Sequence, residues 1–351
     1  MKYKFEDIIF NITQKKKPIE EDKYNYIGLE HLESGNLFIS KWGSDTAPEG
    51  EKIVMKKGDV LFGKRRAYQK KVAISPIDGI FSAHGMVLRP KEDVICKEFL
   101  PFFISSETFL NEAIRISVGG LSPTVNWKDI KELEFDLPSL AEQKVLAEKL
   151  WAAYEVKQSY LKMIAATEEM VKSQFIEMFG NPQNNSQGRK TVRFADVLTL
   201  QRGHDLPEKE RMSEGTIPIY GSNGFVGYHT ESKAKNGIVT GRSGTIGKVY
   251  CIKGDYWPLN TSLYSIDTHG NNLTYLKYMV EAFDVSRFSN GTGVPTLNRN
   301  DIHKEMIPLV DISEQEAFEV IARQADKSEF ELRKSVDAID KVIKSLINEN
   351  Q

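Results

Sequence analysis

The chain has 351 residues, 40% of them hydrophobic and 27% charged, with a formal net charge of −2. That length suits two or three domains, and that composition a globular protein rather than a disordered or fibrous one. No run of about 18 apolar residues occurs, which excludes a spanning helix. The near-neutral charge argues against a general nucleic-acid binder, while a reader whose basic side chains gather on one face stays open. Residues 1–7 carry acids and no apolar core, so no secretory leader is expected. Cys96 and Cys251 stand alone and away from metal-ligand spacing, which fits a reducing cytoplasm.

In chain order, short β-rich runs come first, at 52–55, 59–62, 72–74 and 86–89, punctuated by Gly, Pro, Asn and Asp. After the second comes Lys64-Arg65-Arg66-Ala67-Tyr68-Gln69-Lys70-Lys71, which reads as a charged hairpin tip. Arginine grips guanine with two hydrogen bonds, glutamine does so for adenine, and lysine neutralises phosphate. Lys64, Arg65, Arg66, Tyr68, Gln69, Lys70 and Lys71 are therefore candidate DNA contacts; a solvated tip without a partner is the alternative. Residues 97–114 read as a helix. Ser139 can cap a longer one that runs without Gly or Pro from 141 to about 179. Its apolar stripe is Leu146, Leu150, Ala153, Tyr160, Ile164, Thr167 and Val171, interrupted by Lys157. The Gly/Pro/Asn segment 180–188 reads as a linker.

The second half repeats the pattern. Runs at 237–240, 248–252 and 263–266 are followed by a helix over 273–285. Arg115-Ile116-Ser117-Val118-Gly119-Gly120-Leu121-Ser122-Pro123-Thr124-Val125-Asn126 returns as Arg287-Phe288-Ser289-Asn290-Gly291-Thr292-Gly293-Val294-Pro295-Thr296-Leu297-Asn298, Pro123 and Pro295 standing 172 apart. The same spacing relates Asp129 to Asp301, Glu142 to Glu314 and Lys172 to Lys344. A repeat this long marks duplicated modules. The stripe returns too, as Phe318, Ala322, Ala325, Leu332, Val336, Ile339 and Ile343, with Glu329 where the first has Lys157. Upstream the repeat is fainter: residues 58–64 resemble 236–242 at a spacing of 178, and Tyr26-Ile27-Gly28-Leu29 resembles Ile219-Tyr220-Gly221-Ser222 loosely.

These elements predict a mixed α+β protein of two pseudo-two-fold-related α/β globules, each followed by a long helix. A helix of about 35 residues is about 50 Å long, and two with matching stripes bury them against each other, here as an antiparallel coiled coil. The expected pairing residues are Leu146, Leu150, Tyr160, Ile164, Val171, Phe318, Ala322, Leu332, Val336 and Ile343. The expected boundaries are 1–138 for the first globule, 139–180 for its helix, 181–189 for the linker, 190–310 for the second globule and 311–351 for its helix.

Motifs for chemistry fail on inspection. Gly241-Arg242-Ser243-Gly244-Thr245-Ile246-Gly247-Lys248 lacks the spacing and the following Ser/Thr of a phosphate loop, and has strands on both sides. Glu231-Ser232-Lys233 lacks the acidic partner of a nuclease centre. Asn181-Pro182-Gln183 is not the Asn-Pro-Pro-aromatic loop of amino-methyltransferases, and the six histidines show no ligand spacing. No catalytic or metal-binding residue is assigned. What remains is binding: Arg242, Ser243, Thr245 and Lys248 on a β-turn, with Asn223, Tyr228, Asn260 and Thr261 as further groove contacts.

The ordered, duplicated set resembles the Type I restriction–modification specificity-subunit family. The residues that carry it are Gly58-Asp59-Val60-Leu61, Ile217-Pro218-Ile219-Tyr220-Gly221-Ser222-Asn223-Gly224 and Gly244-Thr245-Ile246-Gly247-Lys248-Val249. The module ends match too, Leu137-Pro138-Ser139-Leu140-Ala141-Glu142-Gln143 and Ile307-Pro308-Leu309-Val310-Asp311-Ile312-Ser313-Glu314-Gln315. The resemblance implies a non-catalytic cytoplasmic subunit with two target recognition domains, each reading half of a split double-stranded DNA site. It implies two methyltransferase subunits as partners, with restriction–translocase subunits joining them. Adenine-N6 methylation and ATP-dependent cleavage would then sit on the partners, with S-adenosylmethionine, ATP and Mg bound there and no cofactor in this chain. A protein-interaction scaffold of duplicated adaptor domains is the alternative. The first half lacks the Gly-Thr-x-Gly-Lys turn of the second, so its turn geometry is expected to differ.

Overall fold

The computed structural model describes residues 1–290 and 295–348. The repeat residues Gly291, Thr292, Gly293 and Val294 and the last three residues expected in the second long helix lie outside them. The chain forms two compact units, Met1–Tyr160 with Lys334–Gln351, and Leu161–Arg333.

Each unit holds one α+β module, closed by the same device. Lys2–Lys4 pairs antiparallel with Glu134–Asp136 in the first, and Thr191–Arg193 with Met306–Pro308 in the second. Straight after the opening strand a phenylalanine, Phe5 or Phe194, enters the core completely. The two ends of each module thus meet just before its long helix starts. A sequence signal for this exists in Phe5-Glu6-Asp7-Ile8-Ile9 and Phe194-Ala195-Asp196-Val197-Leu198, at a spacing of 189 that the registers followed above pass over.

The sheets share an order. Ile9–Ile12, Met86–Pro90, Val60–Phe62 and Val72–Ile74 lie side by side in the first module. Thr199–Arg202, Ser262–Asp267, Ala234–Gly241 and Val249–Pro258 do so in the second. In each module a strand also adds in parallel: Tyr26–Ile27 on Gly79–Phe81, and Ile217–Gly221 on Val249–Pro258. The loose match of Tyr26-Ile27-Gly28-Leu29 to Ile219-Tyr220-Gly221-Ser222 thus corresponds to equivalent strands. The modules differ where the turn Lys56-Lys57-Gly58-Asp59 breaks one strand of the first into Lys52–Met55 and Val60–Phe62, leaving two four-stranded sheets where the second has one of six. Strand side chains alternate between faces. Val60 and Phe62 accordingly face the helices, while Leu61 joins Ala73 and Val87 in a separate core on the opposite face. A strand buried on both faces reads as a continuous apolar run, which is what residues 60–62 show.

The helix expected over 97–114 is two helices, Leu100–Ser105 and Glu107–Arg115. Ser106 breaks it: its backbone is extended and its hydroxyl accepts from the Phe109 amide at 3.1 Å, capping the second helix. The helix expected to Val285 ends at Phe283.

The long helices are Leu140–Phe179 and Ile312–Asn348. In the first unit Leu146, Ala147, Leu150 and Tyr154, from the start of one, share a core with Ile347, from the end of the other, and Lys157 pairs with Asp340 at 2.7 Å. In the second unit Val171, Phe175 and Phe179, from the end of the first helix, pack with Phe318 and Ala322, from the start of the second. The segments run in opposite directions in both. Of the expected pairing residues, Leu146, Leu150, Ile164, Val171, Phe318, Ala322 and Val336 are buried, and Tyr160, Leu332 and Ile343 half-buried. Phe175, Phe179 and Ile347 are buried outside the predicted stripe. The charged interruption Lys157 is the ion pair with Asp340; Glu329 pairs with Arg333 at 2.6 Å.

The Gly180–Gly188 segment, expected as a linker, is a hydrogen-bonded set of turns in the second unit. Asn181 N donates to Ser186 Oγ and Asn185 Nδ2 to the Arg189 carbonyl. Arg189 then donates to both oxygens of Glu314 at 2.9 Å and to the Met178 carbonyl.

Candidate nucleic-acid interface

Both modules build the same three-segment junction from the turn after a central strand, the Pro-Thr loop and a turn before a long-range strand. In the first module Val125 N donates to the Lys64 carbonyl at 3.0 Å, Arg66 N to the Pro123 carbonyl at 2.7 Å, and Arg65 N to the His84 carbonyl at 3.1 Å. In the second, Leu297 N donates to Arg242 O at 2.8 Å, Gly244 N to Pro295 O at 3.3 Å, and Ser243 N to Thr261 O at 3.1 Å. These bonds place Lys64 with Arg242, Arg65 with Ser243, Arg66 with Gly244 and His84 with Thr261. The turns Ser82–Gly85 and Leu259–Ser262 carry the same closing bond, at 3.0 and 2.9 Å. Arg66 and Gly244 both adopt the left-handed region, φ 56° and 85°. Glycine does so without cost, whereas arginine needs its surroundings to hold it.

The basic run of the first module is not the single hairpin tip the sequence suggests. Ala67–Gln69 is a 3₁₀ turn bracketed by left-handed Arg66 and Lys70, and Ala67 is buried beneath it. That turn splits the run between two directions. Arg65 and Arg66 face the Pro-Thr loop, their guanidinium groups donating to Ser122 Oγ at 3.5 and 3.2 Å. Lys70 lines a cleft with Glu107 and Lys344, beside the second long helix, and Lys71 donates to the Leu29 carbonyl at 2.6 Å. Both lysines leave the candidate face. Lys64 is half-buried, and desolvation, then the nearby Lys15, lowers its ammonium below the usual lysine value. Tyr68 stays exposed and Gln69 half-buried. Beside this face the loop tip Leu121 is 97% exposed.

In the second module Arg242 Nη1 donates to the Asn260 carbonyl at 3.2 Å, and the Arg242 and Ser243 amides both bond the Thr261 carbonyl. Ser222 N donates to Thr261 Oγ1 at 3.4 Å, which brings the hairpin tip at Asn223 to the same place. Gly241 is required here: a Cβ would lie 1.8 Å from the Thr245 carbonyl. Arg242 lines a cleft of about 400 Å³ with Arg202, Asn290, Thr296, Asn298 and Arg299. The structure therefore unites Arg242, Ser243, Asn223, Asn260 and Thr261. Asn260 Nδ2 is held by Asp205, which also accepts from Arg202, so its amide fixes the turn. Tyr228 stacks edge-on against exposed Phe225, ring centroids 5.0 Å apart, on the adjoining hairpin strand. Thr245 lies within the turn. Lys248 does not join the set: it lines a different cleft with Lys172, Phe175 and Glu281.

His84, Ser122, Arg202 and Arg299 also belong to this face and carry no sequence motif. His84 was within reach, since carrying the 178 spacing onward brings 84 to within one residue of 261. The arginines carry no motif: strand pairing with Leu263 brings Arg202 to Arg242, and Arg299 opens the short helix just after Leu297, whose amide bonds the Arg242 carbonyl. Among the described residues no group of three His, Cys, Asp or Glu is placed to hold a metal, and no helix is long and apolar enough to cross a membrane.

Known proteins share this architecture. The model of a family described as the Type I restriction modification DNA specificity domain matches the chain twice, over residues 2–159 and 187–335. The chain is 24% identical over 207 residues to the Type I restriction enzyme EcoDI specificity subunit of Escherichia coli, covering 58% of this chain and 44% of that protein. It is 28% identical over 162 residues to the StySPI specificity subunit of Salmonella potsdam, covering 41% of this chain and 33% of the other. The EcoKI specificity subunit of Escherichia coli K12 gives 29% over 162 residues with the same coverage. The chain thus aligns with less than half the length of these curated relatives. Among solved structures, the S subunit of a Type I restriction–modification system from M. genitalium superposes with a TM-score of 0.53 at 16% identity, covering 99% of this chain and 95% of that one. A chain from a structure of type I R-M complex assembly and conformational transition gives 0.56 at 16%, covering 100% and 97%. These two share the fold. By the double match the chain belongs to the Type I restriction–modification DNA specificity family.

Proposed function

We propose that this member of the Type I DNA specificity family is the sequence-reading subunit of a cytoplasmic restriction–modification complex, with one module for each half of a bipartite duplex target. The observation that carries the reading is the repeated junction: the same three backbone bonds hold Lys64, Arg65 and His84 in one module and Arg242, Ser243 and Thr261 in the other. A constant frame with different side chains at equivalent positions is what two readers of different half-sites need. Arginine, serine and threonine there suit base edges, and the cleft shared by Arg202, Arg242 and Arg299 suits phosphate.

On this reading the chain does no chemistry. Two methyltransferase subunits, binding S-adenosylmethionine, methylate adenine N6, and restriction–translocase subunits use ATP and Mg. The long helices are the docking frame, and exposed Met163 and Met170 on the first leave apolar surface for a partner. The test is purified complex on duplex DNA. Arg242→Ala should weaken specific binding by roughly 1–3 kcal/mol and degrade one half-site; unchanged binding and site preference would remove Arg242 from the reading face.

A further inference from the structure

We infer that His84 is a specificity-determining residue of the first module, reading a base of its half-site beside Arg65. The inference rests on the DNA-reading assignment above. His84 carries no sequence motif, but the junction puts it where the second module has Thr261: each gives its carbonyl to the amide of the residue next in line, Arg65 or Ser243, at 3.1 Å. Each also sits in a turn closed by the bond from the fourth residue back to the first. The side chain is exposed, on the face where Arg65 and Arg66 meet Ser122, next to the solvent-facing Leu121 tip.

The local chemistry defines what His84 offers. Arg65 Nη1 lies 3.4 Å from His84 Nε2. A guanidinium only donates, so this contact requires the imidazole to accept at Nε2 and to carry its proton on Nδ1. Desolvation, then Arg65, Lys64 and Lys52, lowers the imidazole below its usual pKa, which favours the neutral ring. A neutral ring in that tautomer offers one N–H donor, on Nδ1. Its ligand is a base-edge acceptor in the major groove, such as guanine N7 or O6 or thymine O4. The same contact sets the imidazole against Arg65, whose other guanidinium arm reaches Ser122. The second module has hydroxyls at both positions, Ser243 and Thr261, which donate or accept. The two junctions therefore call for different bases at equivalent places.

The test uses the full chain assembled with its methyltransferase subunits, with the methylated motif mapped on genomic DNA and binding measured on cognate and single-mismatch duplexes. His84→Ala and His84→Thr should each relax one base position of the first half-site by about tenfold, equivalent to about 1.4 kcal/mol, with the second half-site and the gap unchanged. Arg65→Ala is the companion variant and should relax the first half-site as well. Should both His84 variants assemble and keep the full motif and its discrimination while Arg65→Ala degrades the first half-site, His84 is no reader although the module is. Should Arg65→Ala also leave both half-sites intact in an assembled complex, the junction itself is not the reading face. His84→Gln, which keeps a donor on an exposed residue, guards against misfolding as the cause; altered assembly with all three His84 variants would assign the residue a structural role and overturn the inference.

Discussion

Replacing Gln143 by leucine should unfasten the first module from its long helix. The side chain is 0% exposed and makes three bonds to backbone. Oε1 accepts from Cys96 N at 2.8 Å, and Nε2 donates to the Val94 and Pro138 carbonyls, both at 3.0 Å. Gln315, 1% exposed, repeats the device: it accepts from Asn272 N at 2.9 Å and donates to Asn271 Oδ1 and Val310 O at 2.7 and 2.9 Å. Each glutamine thus locks a helix start to the segment leading into the module's own helices, which gives the Glu-Gln motif a physical role. Leucine keeps the volume and removes all three partners. At about 1 kcal/mol per lost bond, with the stranded amide and carbonyls desolvated, the cost is about 3 kcal/mol or more. The assays are denaturant unfolding of the full chain and amide exchange. Gln143→Leu should lower the first transition by that amount and expose the Cys96 amide, leaving the Asn272 amide protected; Gln315→Leu should do the reverse. A loss under 1 kcal/mol with Cys96 still protected would refute the lock.

Other consequences follow from named contacts. Ile164→Asp combined with Ile343→Asp should break the helix seams and prevent methyltransferase assembly, read by size-exclusion chromatography; an intact complex would mean the seams do not carry the frame. Arg202→Ala with Arg299→Ala should flatten the salt dependence of DNA binding by about one phosphate contact each while leaving the motif intact; an unchanged slope would take the cleft out of the DNA path. Arg189 holds the Glu314 carboxyl below its usual pKa. A depressed carboxyl contributes stability above its unfolded pKa, about 4.3, and loses it as pH falls through the lower folded value. Arg189→Gln should therefore cost about 1 kcal/mol or less at pH 7, given the partial exposure of the pair. That deficit should shrink below about pH 4; a pH-independent deficit would mean the pair acts through packing alone.

The sequence was most legible where one dimension suffices. The long helices lack breakers and keep a stripe, so their span and partnership could be read, and Ser139 does cap the first: its hydroxyl accepts from the Glu142 amide at 3.4 Å, and the Glu142 carboxylate accepts from the Ser139 amide at 2.8 Å. The 172 spacing found the Pro-Thr loops, and the 178 spacing the turns they bind. Nothing local, however, says that the two meet. The sheet brings Lys64 to Val125, and the same crossing swings Lys70 and Lys71 away, so a basic run that looks continuous in sequence divides in space. Ser106 breaks the expected helix because its hydroxyl accepts from the Phe109 amide and caps a new one, a choice that a serine within an apolar run does not announce. Arg202 and Arg299 were invisible for a related reason: they lie nearly 100 residues apart in sequence and meet because the Arg299–His303 helix packs on the Thr199–Arg202 strand, where His303 accepts from the Leu200 amide.

The most direct test of two readers in one chain is to co-express it with its proposed methyltransferase partner and map adenine methylation on host DNA by long-read sequencing. The account predicts a split motif with a fixed internal gap, in which Arg242→Ala alters one half and Arg65→Ala the other. A single undivided motif, or a soluble complex that methylates without sequence preference, would contradict it.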